Sequence, residues 1–438
     1  MTADLIITNA LVVTADAAGT VIRDGAVAVA GGRISALGPS AGIVGQGGAA
    51  RVIDAGGMLL MPGLVNTHCH AADSLFRGLV EDLSLEPWLR AVWKAEGAIL
   101  TPETVLLGAE LGFAELLLGG VTTVMDMFWH PRRTVAAAQA VGMRVSTGGI
   151  FFDFPGVDHL DHAGRLAEAR TFFEEFAGAE DVIPAALPHG TYTVGPEHLA
   201  DAKRLADEFG ALFCTHAAET QAEQADIARR YGRSVIRHLD ALGLLDARTV
   251  LAHCVWLDDE EIAILARTGA TVSHNPVSNL KLASGIARVP DLLAAGVRVT
   301  LGTDGAISGN DLDLWMALRL AATLHRGATL RADAVTTAQA LRMVTLDGAA
   351  ALGAADRIGS LEVGKFADMI LLDLARPHAV PMFDPATHIV FSTAKSDVRH
   401  VFVGGEQVVR DGALLRLDLE ATLAEVAALA PRVAASIQ

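Results

Sequence analysis

Eight short apolar runs alternate with amphipathic, helix-like segments through the middle of the chain, from about residue 61 to residue 358. The runs cover residues 59–68, 121–128, 144–150, 182–189, 212–216, 249–253, 271–274 and 298–304. The helix-like segments between them include residues 103–118, 198–209, 234–242 and 259–268. Apolar runs without polar alternation are typical of parallel strands that are buried on both faces. Eight such strands alternating with helices predict an α/β protein with a (β/α)₈ TIM barrel.

Six of the eight runs end in a histidine or an aspartate. These residues are His68, His189, His216, His253, His274 and Asp304. TIM barrels build their active sites at the C-terminal ends of the strands. One histidine at a strand end is common by chance, but six polar residues at six ends indicate a functional site on this face of the barrel.

The two ends of the chain are rich in β-like segments instead. Such segments occupy residues 5–7, 11–13, 26–29, 33–37, 51–54, 369–373, 398–403 and 406–409. Gly404 and Gly405 separate the last two and predict a tight hairpin. We expect residues 1–60 and 359–438 to form one small β-sandwich domain with a C-terminal helix. The barrel, residues 61–358, is then inserted between its halves.

Charge and cysteine content exclude several classes of partner. The chain has 438 residues and a formal net charge of −17, which disfavours nucleic acid polymers because binding them depends on Lys and Arg. No apolar run reaches the roughly 18 to 20 uncharged residues of a membrane span, and the first residues lack a signal region. We therefore expect a cytoplasmic protein with a small-molecule substrate.

The three cysteines, Cys69, Cys214 and Cys254, form no CxxC pair and are predicted to be core thiols. Metal ligation by Cys214 is the alternative.

The first run closes with two histidines, His68 and His70. Side chains at i and i+2 of an extended segment project to the same side, so both imidazoles can reach one ion. Such a pair alone is equally compatible with two polar loop histidines. His216, His253 and Asp304, at three other strand ends, add two nitrogens and a carboxylate. The set predicts a divalent metal site, with zinc as the first expectation and iron as the alternative.

Several segments resemble the amidohydrolase superfamily, in its cytosine-deaminase-like and chlorohydrolase-like branch. They are residues 62–70 (PGLVNTHCH), 216–219 (HAAE), 273–276 (SHNP), 302–305 (GTDG) and 359–368 (GSLEVGKFAD). The resemblance spans essentially the whole chain and implies one metal ion rather than two. Relatives with two ions carry a bridging, carboxylated lysine at the end of the fourth strand, and residues 182–189 contain no lysine.

The resemblance also implies roles for three side chains at the metal. Glu219 matches the general acid that protonates a ring nitrogen of the substrate, although a surface acid at a helix start is the alternative. His274 resembles the residue that holds and polarises the attacking water. Asp304 matches the base that accepts a proton from this water and passes it to the leaving group, and a role as a ligand alone stays open.

Further stretches resemble one subgroup, the 5′-methylthioadenosine and S-adenosylhomocysteine deaminases. They are residues 75–89, 93–96, 188–189 and 273–285. In that subgroup the acid matching Glu96 accepts hydrogen bonds from the ribose hydroxyls, and the histidine matching His189 contacts the nucleoside. A solvated helix face is the alternative for Glu96.

Four more residues are candidates for substrate binding. Trp88 and Trp93 are expected to wall the pocket, with plain packing as the alternative. Asn279 and Ser308 follow the motifs of the seventh and eighth strands and could orient the purine ring.

The chain departs from the subgroup after the third strand. Some members carry an arginine there that meets the amino-acid end of S-adenosylhomocysteine, and this chain has Gly148 and Gly149. Arg165 could substitute, but an arginine in such a helix is more often a surface residue.

The sequence thus predicts a metal-dependent aminohydrolase for an aminopurine nucleoside of the 5′-methylthioadenosine or adenosine type, assembled as a homo-oligomer like its relatives. Deamination of guanine, pterin or cytosine types, s-triazine amino- or chlorohydrolysis, and a non-catalytic binding protein are the alternatives.

Overall fold

Two sheets organise the chain in the computed structural model, which describes residues 3–45 and 49–438. One is a mixed sheet built from both ends of the chain, and the other is a parallel sheet built from the middle. In chain order the strands are β1 (Ala3–Val13), β2 (Val21–Ala30), β3 (Arg33–Pro39), β4 (Ala49–Asp54), β5 (Leu59–Pro62), β6 (Leu64–His70), β7 (Val121–Asp126), β8 (Arg144–Phe151), β9 (Val182–Pro188), β10 (Leu212–Ala217), β11 (Thr249–His253), β12 (Thr271–His274), β13 (Val299–Leu301), β14 (Asp304–Gly305), β15 (Met369–Leu372), β16 (Val398–Val403), β17 (Glu406–Arg410) and β18 (Ala413–Leu414).

Helices pack on both sheets and connect the barrel strands. They are α1 (Ser40–Val44), α2 (Leu85–Ile99), α3 (Pro102–Leu118), α4 (Pro131–Val141), α5 (His162–Glu175), α6 (Pro196–Phe209), α7 (Gln221–Tyr231), α8 (Val235–Ala241), α9 (Asp259–Thr268), α10 (Pro276–Lys281), α11 (Val289–Ala294), α12 (Ala306–Gly309), α13 (Leu314–Thr329), α14 (Thr337–Met343), α15 (Leu346–Ala351), α16 (Pro385–Phe391) and α17 (Leu419–Ala435), with 3₁₀ segments at Ala71–Phe76, Pro377–Ala379 and Lys395–Asp397. The start of α9 agrees with the sequence prediction because Asp258 and Glu261 cap it reciprocally. Among the described residues, no helix combines the length and apolarity that a membrane crossing requires.

The parallel sheet closes into a barrel. Strands β6 to β13 follow one another in order, and β14 pairs with β6. Since β13 and β14 are two pieces of one extended run, the eighth strand lies beside the first. Inside the ring, Thr67 Oγ1 lies 2.7 Å from both Ser273 Oγ and Thr300 Oγ1. The predicted (β/α)₈ barrel is confirmed.

The run expected as the first barrel strand, residues 59–68, is divided between the two sheets at Gly63. β5 pairs with β1 and β15 in the mixed sheet, whereas β6 pairs with β7 in the barrel. A Cβ at Gly63 would stand 2.2 Å from side-chain atoms of Thr122, so only glycine fits this crossing. We therefore propose the domain boundary at Gly63 rather than between residues 60 and 61.

Both termini contribute to the mixed sheet, as their texture predicted. Residues 5–7 and 11–13, expected as two strands, form the single strand β1, which stays continuous because Asn9 adopts a φ of +54° at an irregularity. Gly404 and Gly405 take φ values of +54° and +75° in the predicted hairpin between β16 and β17. Ile7 and Met369, from opposite ends of the chain, belong to one apolar core.

Candidate metal centre and active site

The five predicted metal ligands meet at the C-terminal ends of the barrel strands. Ligand atoms of His68, His216, His253 and Asp304 all lie within 4.8 Å of one another, and all four residues are buried. His70 joins them, because its Nε2 is 3.2 Å from Asp304 Oδ1 and 3.3 Å from His216 Nε2. Two of these residues have left-handed backbones, with φ of +76° at His253 and +61° at Asp304. Such strain in non-glycine residues is concentrated at functional sites.

Three of the imidazoles are oriented by hydrogen bonds from Nδ1 to an oxygen acceptor. The pairs are His70 with Met127 O at 2.7 Å, His216 with His189 O at 2.6 Å, and His253 with Asn279 Oδ1 at 2.8 Å. A carbonyl oxygen only accepts, so each Nδ1 carries a proton, and Nε2 is the ring atom left for a metal. Histidines that bind metals are held in this way by an acceptor behind the ring.

His68 completes the fit to a cation. It is fully buried, and within the described ranges neither of its ring nitrogens has a hydrogen-bond partner. Burial lowers the pKa of His68 to about 4, so the ring is neutral. Burial opposes ionisation of Asp304, but the neighbouring imidazoles of His68 and His70 hold its pKa well below the usual value. Imidazole nitrogens and a buried carboxylate that converge on one point, with both nitrogens of His68 unpartnered among the described residues, are a donor set for a divalent metal such as zinc.

Glu219 lies beside this cluster in a dry position. Its Oε2 is 3.8 Å from His253 Nε2, and its Oε1 accepts a hydrogen bond from Ser284 Oγ at 3.1 Å. The residue is only 3% exposed, which rules out the alternative of a solvated surface acid. Burial raises the pKa of Glu219, as a general acid near neutral pH requires.

His274 does not lie where the sequence analysis expected. Its ring packs against His325 of α13, with the two Nε2 atoms 3.4 Å apart, and it is not among the residues that line the cavity at the cluster. β12 ends at His274, and the ring turns toward α13 rather than into the barrel mouth. This geometry does not support contact of His274 with the attacking water. His253, by contrast, lines the cavity and faces Glu219.

An aromatic cavity opens from the cluster. Of the predicted substrate-binding residues, Trp88, Trp93, Glu96, His189 and Ser308 line it, together with Trp129, Phe152 and Tyr192. The rings of Trp129 and Phe152 stack with centroids 4.8 Å apart, and Phe152 stacks on His189 at 4.7 Å. Sequence reasoning missed Trp129 and Phe152. The available signal was their position, one to three residues after β7 and β8.

Glu96 points into the cavity from α2 and is not on a solvated helix face. It is 7% exposed, and its Oε2 accepts a hydrogen bond from Trp129 Nε1 at 3.2 Å. Burial raises the pKa of Glu96 to about 7.

Asn279 and Ser308, expected to orient a purine ring, instead contact the predicted ligands. Asn279 Oδ1 accepts from His253, and Asn279 does not line the cavity. Ser308 Oγ donates to Asp304 Oδ2 at 2.9 Å, although Ser308 does line the cavity. Both side chains therefore orient members of the cluster.

Arg165, expected at the surface, is buried. Its guanidinium forms a two-point ion pair with Asp158 at 2.7 and 2.9 Å, and lies 5.4 Å from the ring centroid of Trp129. It is not among the residues that line the cavity at the cluster. Gly148, expected after the third strand, lies instead within β8, and a side chain does not fit there because a Cβ on Gly148 would stand 2.1 Å from Ala185 O.

The three cysteines are free, buried thiols, as predicted. Burial raises the pKa of Cys214 to about 12, so it carries no charge for a metal at neutral pH.

Several known proteins are similar to this chain in sequence and in fold. Residues 59–408 match the model of the amidohydrolase family. A 5-methylthioadenosine/S-adenosylhomocysteine deaminase of Syntrophobacter fumaroxidans is 40% identical over 97% of each chain. A 5′-deoxyadenosine deaminase of Methanosarcina mazei is 39% identical over 99% of each chain. The crystal structure of an adenosine deaminase from Xanthomonas campestris with bound zinc has a TM-score of 0.96 and 34% identity over 99% of each chain. The chain therefore belongs to the amidohydrolase family and is a hydrolytic deaminase.

Proposed function

We propose that the protein deaminates adenine nucleosides of the 5′-methylthioadenosine or adenosine type, with one zinc ion at the cluster. One observation carries this proposal. Glu219, the candidate acid for the ring, and Glu96, the candidate acid for the ribose, line the same aromatic cavity beside the same His and Asp cluster. The names of the relatives from Syntrophobacter and Methanosarcina point to the same class of substrate.

The residues that would hold the metal are His68, His70, His216, His253 and Asp304. When bound, a zinc ion supplies an acidified water as the nucleophile. A single ion is favoured because β9 contains no lysine that could bridge a second one.

Proton transfers are assigned to two carboxyl groups. Glu219, whose pKa burial raises, holds a proton and gives it to the ring nitrogen next to the carbon that carries the amine. The ring then accepts the attack of water more easily. Asp304 is ionised and oriented by Ser308, so it takes a proton from the water and delivers it to the leaving amine. Ammonia leaves, and the second proton of the water passes from the new hydroxyl to Glu219, which restores the acid and leaves the carbonyl product.

The walls of the cavity suit a nucleoside. Trp129 and Phe152 offer apolar faces to the purine and sugar, and Glu96 offers a carboxyl oxygen to the ribose hydroxyls. Beyond Trp93 and Glu96 a second recess is lined by apolar residues such as Phe154. A methylthio group or a short 5′ end fits this chemistry. An amino-acid tail is disfavoured, because the charge of Arg165 is neutralised by Asp158.

The test is ammonia release from enzyme of known metal content. The substrates are adenosine, 5′-deoxyadenosine, 5′-methylthioadenosine, S-adenosylhomocysteine, guanine, cytosine, isoxanthopterin and melamine. We expect 5′-methylthioadenosine, 5′-deoxyadenosine or adenosine to give the highest kcat/KM, with S-adenosylhomocysteine clearly lower. Preference for a free base or melamine, or release of chloride from a chlorotriazine, would refute the assignment. Homo-oligomeric assembly and a cytoplasmic location stay predictions from the sequence.

A further inference from the structure

A fourth buried carboxyl group lines the cavity, and unlike Glu96, Glu219 and Asp304 it has no part in the reaction above. Asp73 lies on the 3₁₀ segment Ala71–Phe76, three residues after His70. It is 5% exposed, and its Oδ1 has no hydrogen-bond partner in the part of the chain that the structure describes. A buried polar group without a partner is costly, and in a native protein it requires an explanation. Because Asp73 lines the cavity, a bound molecule can supply the missing partner.

Close packing holds Asp73 in this position. A Cβ on Gly305 would stand 3.0 Å from Asp73 Oδ2, so the residue after Asp304 leaves room for this carboxyl group. On the other side, Gly108 and Gly112 of α3 let the helix approach the segment, since a Cβ there would stand 2.6 Å from Ala72 O or 2.5 Å from Ala71 O. The segment that carries Asp73 is therefore closely packed between α3 and Gly305.

The carboxyl groups of Asp73 and Glu96 influence each other's ionisation. Burial, and next the charge of Glu96, raise the pKa of Asp73 well above its usual value. The two acids therefore do not both ionise readily, and one of them tends to keep a proton. Glu96 Oε2 is engaged by Trp129, while Asp73 Oδ1 is free within the described residues. The residues lining this cavity include no Lys or Arg.

A vicinal diol matches this pair of acids better than an ammonium group or an amide does. Each hydroxyl both donates and accepts, so it can satisfy an ionised carboxylate and a protonated carboxyl group alike. The two hydroxyls of a diol can therefore contact one carboxyl group each. We propose that Asp73 is a specificity-determining residue that binds one hydroxyl of the ribose diol while Glu96 binds the other. This inference rests on the proposed function.

The experiment compares three nucleosides on wild type and Asp73→Asn. They are adenosine, 2′-deoxyadenosine and 3′-deoxyadenosine. For adenosine we expect Asp73→Asn to lower kcat/KM by about 10-fold or more, mainly through KM, as for a lost hydrogen bond to a charged group. For the deoxynucleoside that lacks the hydroxyl bound by Asp73, the loss should shrink to about 3-fold or less, because that contact is already missing. Asp73→Ser gives the same comparison if Asp73→Asn is not recovered folded.

Asp126 offers a matched control. It is also a buried carboxyl group, but its Oδ1 accepts the Ala71 backbone N–H at 2.6 Å and it does not line the cavity. Asp126→Asn should lower Tm and affect all three nucleosides by the same factor. If wild type is active but Asp73→Asn also affects all three equally, the role of Asp73 is refuted while the proposed function stands. If wild type deaminates none of them, the proposed function and this inference fail together.

Discussion

The backbone N–H of Glu219 donates a hydrogen bond to Glu223 Oε2 at 2.8 Å. The other oxygen of Glu223 accepts from Thr191 Oγ1 at 3.0 Å, which ties the start of α7 to the loop after β9. Glu219 is therefore held by a second buried acid that does not line the cavity itself. Glu223 thus fixes the backbone of Glu219, while the carboxyl group of Glu219 lines the cavity.

Glu219→Gln should retain the metal and lose most of its turnover. The amide keeps the shape and can still meet Ser284, but it has no proton to give to the ring. We expect kcat to fall by about 10² to 10⁴, with metal content per chain unchanged. Steady-state kinetics and metal analysis check this, and a kcat within a few-fold of wild type would remove Glu219 from the mechanism.

The pH dependence of the free energy of unfolding should show the raised pKa of Glu96. Its pKa in the folded protein is about 7, above the value of an unfolded glutamate. The folded state then binds more protons between these two values, so the free energy of unfolding falls as pH rises toward 7 and levels off above it. Glu96→Gln removes this decline, with a gain of about 1 to 3 kcal/mol over wild type at pH 8 and little at pH 4. Urea unfolding at both pH values measures it, and an equal shift at both would contradict the buried charge.

Substitutions of His253 and His274 should differ in their effect on activity. His253 faces Glu219 and lines the cavity, whereas His274 packs on His325 behind it. We expect His253→Asn to lose metal or at least about 10²-fold in kcat, and His274→Asn to stay within about 10-fold of wild type with a lowered Tm. The reverse order would restore the sequence-based role of His274.

Arg165 should prove structural. Arg165→Met leaves the carboxylate of Asp158 without its partner in a site that is largely buried, at a cost of about 3 to 5 kcal/mol in unfolding free energy. Arg165→Met combined with Asp158→Asn should recover much of this loss. The kcat/KM ratio of 5′-methylthioadenosine to S-adenosylhomocysteine should not change in either variant. A selective loss of activity on S-adenosylhomocysteine would show that Arg165 reaches the substrate.

The barrel and the cluster of His and Asp residues could both be predicted from local sequence patterns. Strand count follows from apolar runs and their spacing, and parallel strands of a closed barrel must end at one face. Hence His68, His216, His253 and Asp304, each within two residues of a strand end, could be assigned to one site from the sequence alone.

The directions of individual side chains could not be predicted in this way, because they depend on tertiary packing. His274 ends a strand like His253, yet its ring faces α13, some 50 residues later in the chain. Arg165 lies in a helix with polar neighbours, yet it is buried against Asp158 and Trp129. The carboxyl group of Asp73 packs against Gly305, which is remote in sequence. Strand ends follow from local periodicity, whereas ring direction, ion pairing and burial depend on packing between segments that are far apart along the chain.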